Sequence, residues 1–483
     1  MPKNFDTYII DTFRGGISEE NDKGGRGSFK HGYAGNIRAR NDTYTAKQAM
    51  AEITPADMSD LGKFIVPASD GSTYVFGDTG SIWARSGDGE WTFIYSDENG
   101  EIKGAAEWKV SDGNNYIFWA TDTSLARVAV NGSPDATWAG ATQDYKATLD
   151  SADEHTMKIA SGQLMIANGQ YLASVDYDDN FDNAAVNVRP DNRIKCLEER
   201  DDYVVMGSKR PDDREEGHIW SWVVTAINWV QKKLIPVKGV NAMITAEIPL
   251  IQGGSDGEIF TSDFNETTPL IGIPLGGQVN PGGVTVEDDI ALFGFYGGTY
   301  PGIWSLGRKR KNQLFSLNYD YRMSKAVSGS TISEIGAIEM VNGELLATYT
   351  TTDGSTTDYI VDQVSSTNKA TALFEGLEFD NGKPYERRWY EMVKVLFKPL
   401  ASGTSLSIKF KQDQEDNWRY SVLGDGQTTH AVSAGYHSTQ AEFLIKKPGA
   451  VYEVGMELNP NSNDSPEVTD IVTYVEKGGY EHG

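Results

Sequence analysis

Residues 65–95 read IVPASDGSTYVFGDTGSIWARSGDGEWTFIY. An apolar run is followed by a turn built from Gly and Asp, and then by a strand that opens Gly-x-Ile-aromatic, Gly80 to Trp83. β-Branched and aromatic residues suit a pleated, packed surface, and Gly and Asp suit tight reversals, so the stretch predicts a hairpin. The same unit recurs as GHIW at Gly217 to Trp220, GEIF at Gly257 to Phe260 and GIW at Gly302 to Trp304. Looser copies are TSLA around Leu125, GQYL at Gly169 to Leu172 and TDYI around Tyr359. With Ile82, Leu125, Tyr171, Ile219, Ile259, Ile303 and Tyr359 as equivalent positions, the spacings are 43, 46, 48, 40, 44 and 56 residues.

A period of about 45 residues matches a four-stranded propeller blade. The expected fold is all-β, a β-propeller of seven blades, or six, followed by a C-terminal β-sandwich. Stacked sandwiches with the same hairpin spacing are the competing architecture. Tyr74, Phe76, Ile117, Trp119, Met165, Leu250, Leu292, Phe293 and Leu346 are the expected inward positions. Ring closure needs a strand from the other end of the repeat, and residues 36–53 are the candidate. After Pro384 the pattern changes to alternating strands in RWYEMVKVLFKPL, SLSIKFKQD, WRYSVL, AEFLIKK, YEVGMEL and DIVTYVEK. The expected organisation is an extended arm over 1–35, a propeller over 36–384, a sandwich over 385–477 and a tail over 478–483.

Charge is unevenly placed. Residues 1–50 carry a net +2 and 385–477 a net −3, so with Glu481 the segment 51–384 holds −24 of the total −26. Such a body repels phosphates, which argues against sequence-specific nucleic-acid binding. The longest apolar stretch, Ile219 to Val230, is interrupted by Ser221, Thr225 and Asn228 and falls short of the roughly 20 residues of a membrane helix. The opening MPKNFDTYIIDTFRGG lacks the pattern of a secretory signal, and the mature chain is expected to begin there. One cysteine, Cys196, allows no internal disulfide, and no Cys/His spacing suits zinc.

Several segments invite a chemical reading. Gly253-Gly-Ser255-Asp-Gly257 has the GxSxG pattern, but a strand rather than a helix follows it, so a hairpin turn is expected. Residues 86–91 resemble the Asp-box turn of sialidase-like propellers, one residue short. Asp176, Asp178, Asn180 and Asp182 alternate as in a calcium loop, yet Phe181 stands where the EF-hand needs Gly, and a solvated loop is expected. Trp220, Trp222 and Trp229 form the densest aromatic group, either core or an exposed platform. No residue emerges as catalytic, cofactor-binding or metal-ligating. Arg308 to Lys311 is the strong basic cluster of the acidic body. Arg14, Arg26, Arg308 and Lys311 are the interface candidates, by charge contrast with that body.

The opening DTFRGGISEENDKGGRGSFKHGYAGNIRARNDTYTAKQAM, the text of residues 65–95 and the closing RRWYEMVKVLFKPLASGTSLSIKFKQD together resemble the β-propeller virion proteins of tailed bacteriophages, of the tail-nozzle and tail-associated type. The resemblance implies a non-enzymatic structural role in the tail or neck, other virion proteins as partners, a homo-oligomeric ring, and assembly in the host cytoplasm. A glycan- or receptor-binding propeller and sandwich is the alternative function.

Overall fold

The computed structural model describes all residues except 1–4, 11–15, 18–29, 32, 38–42, 88, 131–137, 139, 213, 215, 274–275, 309–310, 312–314, 355, 381–385, 414, 425–428, 436–438 and 477–483. By compactness the chain falls into two units, one of residues 51–302 and 323–363, the other of 1–50, 303–322 and 364–483.

Among the described residues, four strands each cover 62–96, 104–146, 157–187, 193–235, 240–272, 284–321 and 331–369, the last set completed by Gln48–Glu52 and those of 284–321 forming the start of a ten-stranded sheet. These are blades 1 to 7 of a β-propeller. The innermost strand of each blade packs on that of the next, from Gly62–Pro67 through Gly104–Lys109, Met157–Ala160, Arg193–Arg200, Val240–Thr245, Val284–Glu287 and Thr331–Val341, which returns to Gly62–Pro67. The cycle closes, so the blade number is seven. Gln48–Glu52 is the outermost strand of blade 7, continued by a bond from Ile53 N to Val361 O at 2.8 Å. The closing strand therefore lies within the expected 36–53.

All seven anchor positions of the repeat fall on the third strand of their blades. In a strand the side-chain period is two, so Ile and the aromatic after it point to opposite faces. Ile82 packs with Ile117 and Trp119 of blade 2, whereas Trp83 packs with Val341 and Leu346 of blade 7. Blade 4 repeats this, with Ile219 against Val240 and Ile251 of blade 5 and Trp220 against Val186 and Val188, at the end of blade 3. The motif thus supplies one large side chain to each of two neighbouring blades. In the looser copies Tyr171 and Tyr359 are half-buried and the following Leu172 and Ile360 occupy the core, a register offset of one. Every expected inward residue is buried to 1% exposure or less. The glycine that opens the motif has a backbone reason: Gly80 has φ +105° and a Cβ there would lie 2.8 Å from Gly100 O.

The second unit is a sandwich. One sheet runs Phe5–Ile10, Val468–Glu476, Arg388–Phe397, Gln440–Gly449 and Val422–Leu423. The facing sheet includes Tyr33–Gly35, Ala372–Glu375, Tyr452–Asn459, Ser405–Gln412 and Arg419–Tyr420, with Ala431–Ser433 paired to Ser405–Gln412. Tyr44, Phe374, Tyr390, Val393, Leu406, Phe443 and Tyr452 share its core.

The boundaries differ from those expected. Residues 303–322 and 364–384, assigned to the propeller by sequence, group by compactness with the sandwich; Phe374 and Phe379 fill its core, while 303–322 and 364–369 keep their pairing in the sheets of blades 6 and 7. The expected arm is in part an integral strand. Phe5–Ile10 pairs antiparallel with Val468–Glu476, Phe5 opposite Glu476, and Tyr8 stacks on Phe379 with ring centroids 4.1 Å apart. The segment is too polar to pack alone, but an edge strand needs only one apolar face. The expected tail, 478–483, lies outside the described residues.

Candidate functional site: the propeller channel

Seven inner strands running the same way around an axis place their first residues at one mouth of a channel. Lys63, Lys195, Asn241 and Glu334 lie near the starts of four of them, and Glu154 and Asn280 just precede two others. Lys63 Nζ meets Glu334 Oε1 at 2.5 Å, and Asn280 Nδ2 donates to the same oxygen at 2.8 Å. Tyr296 donates to Asn280 Oδ1 at 2.9 Å, and Lys195 Nζ donates to Asn241 Oδ1 at 3.1 Å. The result is two mixed-charge sets of hydrogen bonds around the channel, one linking blades 1, 6 and 7 and the other blades 4 and 5.

Glu154 stands out at the same mouth. Burial pushes its carboxyl up to about 7, against the pull of the Lys195 and Lys63 ammoniums. Burial likewise lowers Lys195. Below the mouth a cavity of about 160 Å³ is lined by Ile65, Thr156, Lys158, Glu198, Met243 and Glu339, among others. Lys158 Nζ and Glu198 Oε2 are 3.0 Å apart, and Glu339 Oε1 accepts from Thr285 Oγ1 at 3.2 Å and Met340 N at 3.0 Å. Burial raises both carboxyls.

The reactive residue types described near the blades serve structure. The Cys196 thiol is buried and pushed up to about 12, so it stays protonated. His155 Nδ1 lies 2.7 Å from Ala167 O and Nε2 3.0 Å from Asp122 O, bracing blade 3 against blade 2. His218 is pushed down to about 4 by burial and the nearby Lys232.

Ser255 sits on the hairpin turn between Pro249–Gly253 and Glu258–Ser262, where Gly254 and Gly257 have φ of +65° and +75°. That is the turn expected, not a nucleophile elbow. Of residues 86–91, Asp88 lies outside the described residues; the segment falls between Ser81–Ser86 and Thr92–Ser96 of blade 1. In the acidic loop, Asp176 takes up Asn180, its Oδ1 accepting from the backbone N at 2.9 Å. Asp179 is held by Arg127 Nη1 at 2.8 Å and by the Tyr145 hydroxyl at 2.7 Å. The Arg127 guanidinium lies over the rings of Tyr145 and Tyr116, 3.9 and 4.4 Å from their centroids, so these carboxylates latch blades 2 and 3 together. Among the described residues no group of three or more His, Cys, Asp or Glu is placed to hold a metal.

Of the interface candidates, Arg308 is half-buried with its guanidinium 4.9 Å from the Phe315 ring centroid, and Lys311 is exposed on the connection between Gly302–Gly307 and Ser316–Tyr321. Arg14 and Arg26 lie outside the described residues. Trp220 and Trp222 are core residues, at 0% and 3% exposure, and Trp229 is half-buried. Sequence reasoning missed the channel-mouth bonds. Their residues are ordinary in local context, and the only available signal was their place at the head of each inner strand.

No protein-family model matches the chain, and no curated protein matches it. Among solved structures it is similar to the extracellular domain of the putative hybrid two component system BT4673 from B. thetaiotaomicron, at 13% identity and TM-score 0.47 over 78% of this chain. The match covers 48% of that chain, so this chain spans about half its length. It is also similar to the WD40 beta propeller domain of Doa1, at 11% identity and TM-score 0.46, covering 66% of this chain and 97% of that one. The structure of YCF48 bound to D1 peptide aligns at 11% identity and TM-score 0.43, covering 66% and 96%. At such identities the likeness concerns fold alone.

Proposed function

We propose that the chain is a non-enzymatic structural component of a phage virion, part of the tail or neck, assembled in the host cytoplasm as a homo-oligomeric ring with other virion proteins. The observation that carries this reading is the way the chain is locked into itself. Gln48–Glu52 completes blade 7, and Phe5–Ile10 lies along Val468–Glu476 in the sandwich. A closed propeller and a strand-sealed sandwich suit a building block that works through its surfaces. The resemblance in the opening, blade and closing sequences supports the same role.

The acidic body, −24 over residues 51–384, suits a wall past which DNA slides without being gripped. Mass spectrometry of gradient-purified particles from the source culture tests the role. A fixed copy number of roughly six or twelve per particle supports it. Absence from particles, with the protein free or cell-bound, refutes it.

A further inference from the structure

Exposed apolar side chains are informative when they cluster. Of the nine large apolar residues exposed among the described residues, three lie within eight positions of blade 4: Ile227, Val230 and Leu234, at 90%, 49% and 48% exposure. Ile227 and Val230 sit on the connection between Gly217–Trp222 and Gln231–Ile235, and Leu234 on the outermost strand of the blade. The connection is pinned from beneath. Trp222 Nε1 donates to Ala226 O at 2.9 Å, Val230 N donates to Ser221 O at 2.7 Å, and Trp229 packs edge-on against Trp220 with centroids 5.1 Å apart. Ile227 is therefore presented on a fixed tip.

The surroundings of the tip are positive. Residues 217–246 contain Lys232, Lys233 and Lys238 and no acidic residue, inside a segment of net −24. The Lys232 ammonium lies 4.5 Å from the Trp220 ring centroid, and the Arg189 guanidinium 5.8 Å from that of Trp229. Among the described residues neither cation has a carboxylate within ion-pair distance. The nearest acids, Asp191 and Glu216, are engaged by Arg210 Nη1 at 2.8 and 3.5 Å. Exposed apolar side chains beside cations of an otherwise acidic body make a patch whose charge complements the rest of the chain's surface.

Resting on the ring-forming role above, we propose that this blade-4 patch docks onto an acidic surface of a second copy of the chain. The occupant follows from charge. The chain carries −26 overall, so its own remaining surface supplies the complement. Two such patches brought together across a two-fold axis would repel, since Lys232 and Arg189 are cations without an ion-paired carboxylate of their own. The contact is therefore heterologous, patch to acidic face, and repetition of a heterologous contact closes into a ring when the rotation allows.

Sedimentation velocity of the full chain over a concentration series, at low and high salt, reads the contact. Wild-type protein self-associates and loses affinity as salt rises. Ile227→Asp, and separately Lys232→Glu with Lys233→Glu, weaken association at least tenfold, while Val327→Ser, exposed at the end of the helix Ser324–Val327, leaves it unchanged. Melting curves keep the comparison to folded protein. A monomeric wild type, or variants that associate as it does, overturns the patch. The two readings separate in particles: Ile227→Asp chain present at wild-type copy number overturns the patch and leaves the virion role standing. Wild-type chain absent from particles but self-associating through Ile227 keeps the patch and removes the role.

Discussion

Replacing Glu154 with Gln should flatten the pH dependence of propeller stability. The Glu154 carboxyl is raised from an ordinary 4.5 to about 7 by burial at the channel mouth. Between those values the folded protein holds a proton that the unfolded chain releases. Stability from this group is therefore fully present below about pH 4.5 and is lost as pH rises through 7. At about 1.36 kcal/mol per pKa unit the full loss is about 3 kcal/mol. Unfolding entropy of about 2.1 cal/mol/K per residue, over a unit of roughly 290 residues, converts this to a fall in Tm of about 5 °C. Gln keeps the shape and removes the titration, so Glu154→Gln should recover about 5 °C relative to wild type at pH 8 and little at pH 5. Differential scanning calorimetry at the two pH values, with the wild-type minus variant difference taken at each, reads it. A difference that does not change with pH would refute the burial of an ionisable group at this mouth.

Three further outcomes are expected. Trp220→Ala empties a fully buried site between blades and removes the bond its Nε1 donates to Ser208 Oγ at 2.9 Å, at a cost of about 3–5 kcal/mol, read as a lower Tm by calorimetry. Tyr8→Ala removes the ring stacked on Phe379 and should loosen Phe5–Ile10, destabilising the sandwich by about 2–4 kcal/mol and speeding proteolysis near the N-terminus, with the propeller melt unmoved. Arg308→Glu with Lys311→Glu should leave folding intact and reduce incorporation into particles several-fold, measured by mass spectrometry; full incorporation would remove both from the interface.

How much of this was legible follows from where the information sits. The blades could be read because Ile82-Trp83, Ile219-Trp220, Ile259-Phe260 and Ile303-Trp304 each solve the same local problem, filling both faces of a third strand. The weaker copies at Tyr171 and Tyr359 were found but misplaced by one residue, since a β-branched or aromatic neighbour satisfies the pattern equally well on either face. The sandwich strands after Pro384 were likewise visible by alternation. Its borrowed strands were not, because Phe5–Ile10 and Ala372–Glu375 gain their meaning only from partners far along the chain, Val468–Glu476 and Tyr452–Asn459. The channel-mouth bonds were hidden for the same reason. Lys63 and Glu334 are unremarkable charges until ring closure brings them to 2.5 Å.

The self-locking of the chain also sets a timetable for its birth. Thr54 Oγ1 accepts from Val361 N across 307 residues of sequence. At about 5–20 residues per second of synthesis, the strand that seals the ring waits roughly 15–60 s for its partner to leave the ribosome. The sandwich waits longer, since Phe5 pairs with Glu476. Throughout that interval blade edges and the apolar face around Tyr8 stand uncovered, so expression at lower temperature or with added chaperone should raise the soluble yield.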